Sequence, residues 1–263
     1  MSKILFIYRY IKFLVKSKTR YTIHSDFVYD FINKVLRDKT RYKDYNLLWE
    51  NRNKFASSVD QIETVDFGSK SGIKSYKTII LPLNNIVKSR SHSKSRMELI
   101  YRIVKNQSPA NVLEFGTCVG VSSSYIKKAY PESRFITMEG CANLAAKAQD
   151  NFSENGLSHV EIVVGNFDSI LNSVLKKFTT LDFIFFDGNH REIPTISYFE
   201  SCAELSNENS IFVIDDIHWS KGMENAWNKI KADKRVSVSI DLFWFGILFF
   251  RKGIEKQDFV LRY

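Results

Sequence analysis

Two stretches of this chain carry residues whose types and spacing suit chemistry. In "VLEFGTCVGVSS" an acid, Glu114, lies near the end of an apolar run, followed by Gly116, Gly120 and a helical pattern. Glycine lets a backbone turn sharply and approach a ligand closely, and the helix start beyond it presents unpaired N–H groups. A dinucleotide fingerprint has glycines spaced GxGxxG; here Thr117, Cys118 and Val119 replace the central one. That spacing disfavours a pyrophosphate and suits a nucleoside with a non-phosphate tail. "RFITMEG" ends its strand on Glu139, 23 residues after Gly116, where a doubly wound fold offers an acid to ribose hydroxyls. A carboxylate accepting two hydroxyl hydrogen bonds selects a free ribose and repels a 2′-phosphate. Asn166, in "VVGNF", is placed to read an adenine edge.

The second stretch is "LDFIFFDGNH". Asp187 follows four apolar residues, Phe183 to Phe186, where an unpartnered carboxylate would be costly. It holds a cofactor, a metal ion or only a helix N-terminus. The next strand-like run, "SIFVIDDIHW", adds Asp215, Asp216 and His218.

The elements that position these residues follow from periodicity. Runs 111–115, 134–138, 160–164, 181–187 and 210–215 are short, apolar and rich in β-branched or aromatic residues. Helical patterns separate them at 121–130, 141–155, 167–177 and 193–205, with a further one near 219–232. Strands alternating with helices predict a doubly wound α/β fold, its parallel sheet covered on both faces. "VSVSIDLFWFGILFFRK" (236–252) then holds two strand-like runs with no room for a crossover helix, so they must be antiparallel. Residues 1–108 read as a mainly helical extension or lid, with helices over 25–38, 45–63 and 95–108. "DFGSKSG" (66–72) reads as a flexible linker, and 109–263 as the core.

Composition narrows the class. The chain has 263 residues, 44% of them hydrophobic and 14% aromatic, enough for a large core. No run approaches the ~20 apolar residues of a bilayer span. The basic, apolar segment 1–18 lacks a small-residue cleavage site. It reads as an amphipathic helix packed on the body, with an anionic membrane surface as the second reading. Three cysteines, Cys118, Cys141 and Cys202, cannot all pair and form no CxxC, which fits a reducing cytoplasm without a zinc site. Residues 1–110 hold 22 Lys and Arg against 9 Asp and Glu, while the remainder is net acidic. The basic residues are scattered, which argues for a solvated face over a nucleic-acid surface.

With those residues in view, 111–251 resembles the class I S-adenosylmethionine-dependent methyltransferases, and in particular the catechol and caffeoyl-CoA type O-methyltransferases. The likeness rests on "VLEFGTCVGVSS", "FITMEG", "VEIVVGNF", "LDFIFFDGNH" and "SIFVIDD". It implies a Rossmann-like, seven-stranded, mostly parallel sheet with an antiparallel last strand. Glu114, Gly116 and Gly120 would then line the methionine end of the cofactor, with Phe115, Thr117, Ser122, Gly140 and Asp187 also in contact. Glu139 would hold the ribose, with Asn166 near the adenine. Segments "IHSDFVYDFINKV" and "DFGSKSG" resemble N-terminal extensions of bacterial members of the superfamily.

In the metal-dependent members the acid after the fourth strand binds a divalent cation with an Asp-Asn pair after the fifth. The corresponding residues here are Asp187, Asp215 and Asp216. Three clustered carboxylates repel one another unless a cation or protons intervene, and oxygen ligands suit Mg²⁺, with Mn²⁺ or Ca²⁺ as alternatives. His190 falls where relatives carry a lysine base, and His218 is a second base or a ligand. Asp216 for an amide and His190 for the lysine depart from the family pattern. The expected activity is methylation of a small-molecule or sugar hydroxyl. A nucleic-acid methyltransferase and a non-catalytic cofactor-binding protein are the alternatives; no Asn-Pro-Pro-aromatic segment supports the former. The N-terminal part is read as a substrate lid or homodimer surface. Lys88, Arg90, Lys94 and Arg96 read as a solvated basic loop or a contact for an anionic acceptor.

Overall fold

The computed structural model describes residues 3–66 and 77–262. The "DFGSKSG" segment beyond Asp66 lies outside the described residues. The fold is α/β: eight strands form a mostly parallel sheet, with helices on both sides. The chain divides into two compact units, Lys34–Val174 and a second formed by Met1–Asn33 with Leu175–Tyr263.

In Lys34–Val174, helix α3 is preceded in the chain by two elements of the other unit, α1 (Lys3–Lys16) and α2 (Asp26–Phe31). Helix α3 (Asp44–Ser57) leads to a hairpin of β1 (Gln61–Asp66) and β2 (Lys77–Pro82), then α4 (Leu83–Arg90) and α5 (Lys94–Gln107). The helical pattern expected across 45–63 breaks at Ser58, and the extension is less purely helical than anticipated. "QIETV" has β-branched residues at Ile62 and Thr64 on one buried face, a period of two that belongs to a strand. The basic residues Lys88, Arg90, Lys94 and Arg96, read as a loop, lie instead in α4 and α5, with Ser91–Ser93 linking the two helices. Ile86 and Val87 bury one face of α4, and Met97, Ile100 and Val104 bury one face of α5, at helical spacing. From there β3 (Asn111–Phe115), α6 (Val121–Ala129), β4 (Arg134–Glu139), α7 (Ala142–Glu154), β5 (Val160–Val164) and α8 (Phe167–Leu175) alternate. The strands run parallel in the order β3-β4-β5. Val112, Leu113 and Phe115 are all fully buried, the continuous apolar run of a strand covered on both faces.

The second unit contributes β6 (Leu181–Phe186), α9 (Glu192–Ala203), β7 (Ser206–Asp215), α10 (Lys221–Lys231), β8 (Val238–Asp241), β9 (Phe245–Phe249) and β10 (Gln257–Val260). Their order is β10-β8-β9-β7-β6. Strand β9 runs antiparallel to both β7 and β8, as the tight link required. Among the described residues the sheet nevertheless has eight strands rather than seven, and its antiparallel strand is not the last. After β9 the chain returns as β10, which pairs parallel to β8. Its four residues, "QDFV", are too short and mixed to announce a strand alone; they gain it by covering the β8 edge. Gly246 in β9 is required by packing: a Cβ there would lie 2.4 Å from the Trp227 ring of α10.

Candidate active site

The first group of site residues lies in Lys34–Val174, at the carboxyl ends of β3 and β4. The link from β3 to α6 turns through three left-handed residues, Gly116 (φ 95°), Cys118 (φ 48°) and Gly120 (φ 76°). The backbone N–H groups of Gly116 and Thr117 both donate to Met138 O, at 2.9 and 3.2 Å, which holds the turn against β4. A Cβ on Gly120 would lie 2.5 Å from Cε1 of Phe152 on α7. Gly120→Val should therefore cost about 2–4 kcal/mol, combining left-handed strain with overpacking. Chemical denaturation reads this directly, and unchanged stability would contradict the packing described.

Below the turn, Glu114 is fully buried. Its carboxylate accepts from the hydroxyls of Ser123 and of Thr137 (2.7 Å for Thr137), and Thr137 is also 2.7 Å from Thr117 Oγ1. The acid thus ties β3, β4, the turn and α6 together from beneath. Phe115 is buried too, edge-to-face on Phe167 at 5.6 Å. Ser122 lies in the first turn of α6, 7% exposed.

Glu139 ends β4 and is the organising acid of the turn. One oxygen accepts from Cys118 N–H at 2.7 Å, the other from Cys141 N–H at 2.8 Å, at the start of α7. Burial pushes its carboxyl above the ordinary range, against the pull of those N–H donors. A carboxylate offers about four acceptor positions, so two hydroxyls can still be accommodated. Gly140 continues this edge. Asn166 begins α8, its Oδ1 accepting from Asp168 N–H at 2.9 Å, an N-cap arrangement.

The second group lies in the other unit, at the carboxyl ends of β6 and β7. Asp187 follows β6 directly, and Asp215 is the last residue of β7, only 2% exposed. Asp216 adopts a left-handed conformation (φ 54°), with its N–H donating to Trp244 O at 2.8 Å. Ligand atoms of His190, Asp215 and Asp216 lie within 4.8 Å of one another, as do the Asp187 and Asp215 carboxylates. His190 Nε2 is 3.7 Å from Asp187 Oδ1. All three predicted acids and His190, one of the two predicted histidines, therefore meet.

Sequence reasoning missed what brings His190 back. Asn189 is left-handed (φ 56°); its amide donates to Tyr198 Oη at 2.8 Å and its Oδ1 accepts from Arg191 Nε at 2.6 Å. Asparagine tolerates that conformation better than most residues, so "GNH" was a readable signal.

His218 stands apart. Its Nε2 is 2.8 Å from Asp241 Oδ2, its Nδ1 3.4 Å from Glu224 Oε1, and its ring stacks on Phe243 at 5.2 Å. Burial lowers its affinity for a proton, but Asp241 and Glu224 outweigh that and raise its pKa. The ring is engaged by this network rather than by the acid group.

A left-handed glycine turn over an acid-ended strand, and acids closing two adjacent strands, are features of nucleoside-binding α/β enzymes. Known proteins narrow this further. Residues 113–217 match a family described as a methyltransferase domain. A catechol O-methyltransferase of Niastella koreensis is 34% identical over 110 residues, 41% of this chain. That match spans about half, 49%, of the relative's length. Among solved structures, the O-methyltransferase TomG of Streptomyces achromogenes, in complex with SAM, superposes with a TM-score of 0.57 at 18% identity. It covers 85% of this chain and 95% of that one. The SAH-bound methyltransferase PaMTH1 of Podospora anserina gives 0.60 at 14% identity, covering 86% and 95%. The fold is that of these methyltransferases, and residues 113–217 match the methyltransferase domain model.

Proposed function

We propose that the protein is an S-adenosylmethionine-dependent O-methyltransferase acting on a small hydroxylated acceptor, assisted by a divalent cation. The observation that carries this reading is Glu139, which ends β4 and holds the N–H groups of both the glycine turn and the start of α7. Its remaining lone pairs suit the two ribose hydroxyls of a nucleoside cofactor. The turn's glycines let the backbone approach the amino-acid tail, and Thr117, Cys118 and Val119 leave no cradle for a pyrophosphate. The relative's name, catechol O-methyltransferase, supports a small aromatic diol as acceptor class.

The cofactor supplies a methyl group already activated by positive sulfur, so the protein's work is to align the acceptor and remove its proton. Asp187, Asp215 and Asp216 fit a cation: three acids beside one imidazole would repel one another without it. These residues would hold a divalent ion, which would supply Lewis acidity toward an acceptor hydroxyl. His190, 3.7 Å from Asp187, takes the hydroxyl proton on Nε2, and the Asp187 charge steadies the imidazolium that results. The cofactor-contact roles of Phe115, Ser122, Gly140 and Asn166 belong to the same proposal.

Titration calorimetry with S-adenosylhomocysteine, with and without Mg²⁺, tests the reading on wild type and Asp187→Ala. Wild type should bind the nucleoside and also take up Mg²⁺; Asp187→Ala should lose the Mg²⁺ uptake, with any weakening of nucleoside binding reporting the cofactor contact of the same side chain. Absence of nucleoside binding to wild type would overturn the proposal. A catechol assay with product detection then checks the acceptor class.

A further inference from the structure

We propose that α1 is an in-plane anchor for an anionic lipid surface. One face of the helix is already satisfied. Phe6 packs on Phe243 and Trp244, both at 5.4 Å, while Tyr10 and Phe13 meet Phe243 at 4.9 and 5.3 Å. Arg9 pairs with Glu224 at 3.2 Å and donates to Trp219 O at 3.4 Å. This fixes the helix on its unit and settles which side faces out.

The outward side is apolar. Ile4, Ile7, Tyr8, Ile11 and Val15 are 78, 56, 63, 54 and 81% exposed. Residues 4, 8, 11 and 15 recur at helical spacing, so they form one continuous stripe along α1. A docked helix facing only water would carry polar residues there, and a contiguous exposed apolar patch marks an interaction surface. Lys12 and Lys16 border the stripe, and Lys18 and Arg20 follow; the chain has no acid before Asp26.

That charge pattern selects the occupant. Pairing two copies through this face would bring two wholly basic helices together with no acid to offset them. An anionic bilayer accepts both features, taking the apolar stripe into the acyl boundary and the lysines at its headgroups. At 14 residues α1 spans about 21 Å, and no described helix is long and apolar enough to cross a membrane, so it would lie in the interface plane. Trp219, held by Phe6 and Arg9, follows Asp216 by three residues. The anchoring does not depend on the methyl-transfer reading.

Vesicle flotation of the full chain tests this, comparing pure phosphatidylcholine with phosphatidylcholine–phosphatidylglycerol. Wild type should bind the anionic vesicles at least about tenfold more strongly, and added salt should weaken the binding. Ile7→Asp with Ile11→Asp should abolish flotation while circular dichroism and thermal unfolding remain those of wild type, since both side chains are exposed. Lys12→Gln and Lys16→Gln should each weaken it about fivefold. Failure of wild type to float with anionic vesicles overturns the proposal. So does a concentration-dependent dimer in sedimentation that Ile7→Asp with Ile11→Asp dissolves, which would assign the stripe to a second copy.

Discussion

Glu139→Gln is expected to weaken S-adenosylhomocysteine binding about 10- to 100-fold in titration calorimetry, equivalent to roughly 1.5–3 kcal/mol. The side chain keeps its shape but loses its charge and one acceptor oxygen. It can then no longer serve both the Cys118 and Cys141 N–H groups and two ligand hydroxyls. The same change should reduce folding stability by about 1–3 kcal/mol, because one buried N–H is left facing an amide NH₂. The pH dependence has a defined sign. Burial holds the Glu139 carboxyl above its ordinary value, so acidification protonates it early and affinity falls as pH drops through that raised pKa. Glu139→Gln should abolish that part of the pH profile. Affinity within twofold of wild type would show that the nucleoside does not engage this acid.

The second large effect concerns the acids of β6 and β7. Asp215→Asn removes one negative charge from the most buried member of the group and should eliminate measurable Mg²⁺ uptake. On the proposed mechanism it lowers turnover at least about 10²-fold. His190→Ala separates two roles for the imidazole. As a base, its loss lowers turnover while Mg²⁺ uptake persists. As a ligand, its loss removes Mg²⁺ uptake as well. Mg²⁺ uptake and turnover that both survive Asp215→Asn would refute the metal-assisted reading. Nucleoside binding should be retained in both variants, which keeps a failure of the metal reading distinct from a failure of the cofactor reading.

Much of this architecture is legible in the sequence. The apolar runs at 111–115, 134–138, 160–164 and 181–187 became β3, β4, β5 and β6 with bounds shifted by a residue at most. Interior parallel strands are covered on both faces, so their sequence is a bare apolar run that punctuation by glycine and acid makes easy to delimit. The meeting of Asp187, Asp215 and Asp216 was legible for the same reason. Residues that end neighbouring parallel strands arrive at one edge, whatever the loops do.

Other features carried no local signal. The β1–β2 hairpin was hidden because "QIETV" continues a plausible helical composition, and only pairing with a distant segment decides for a strand. Strand β10 exists because β8 offers an unpaired edge, a property of the sheet rather than of "QDFV".

Residue type and spacing alone determined the alternating α/β order, the acid-ended strands and the glycine turn, since each depends on neighbours within a few positions. Tertiary structure decided what those residues touch. Glu114 became a buried tie beneath the turn, and Glu139 the clasp of two N–H groups. His218 went to Asp241 and Glu224, and His190 returned to the acids. Hydrogen-bond partners lie 20 or more residues apart in several of these cases, and such contacts are set by packing, which no short window of sequence contains.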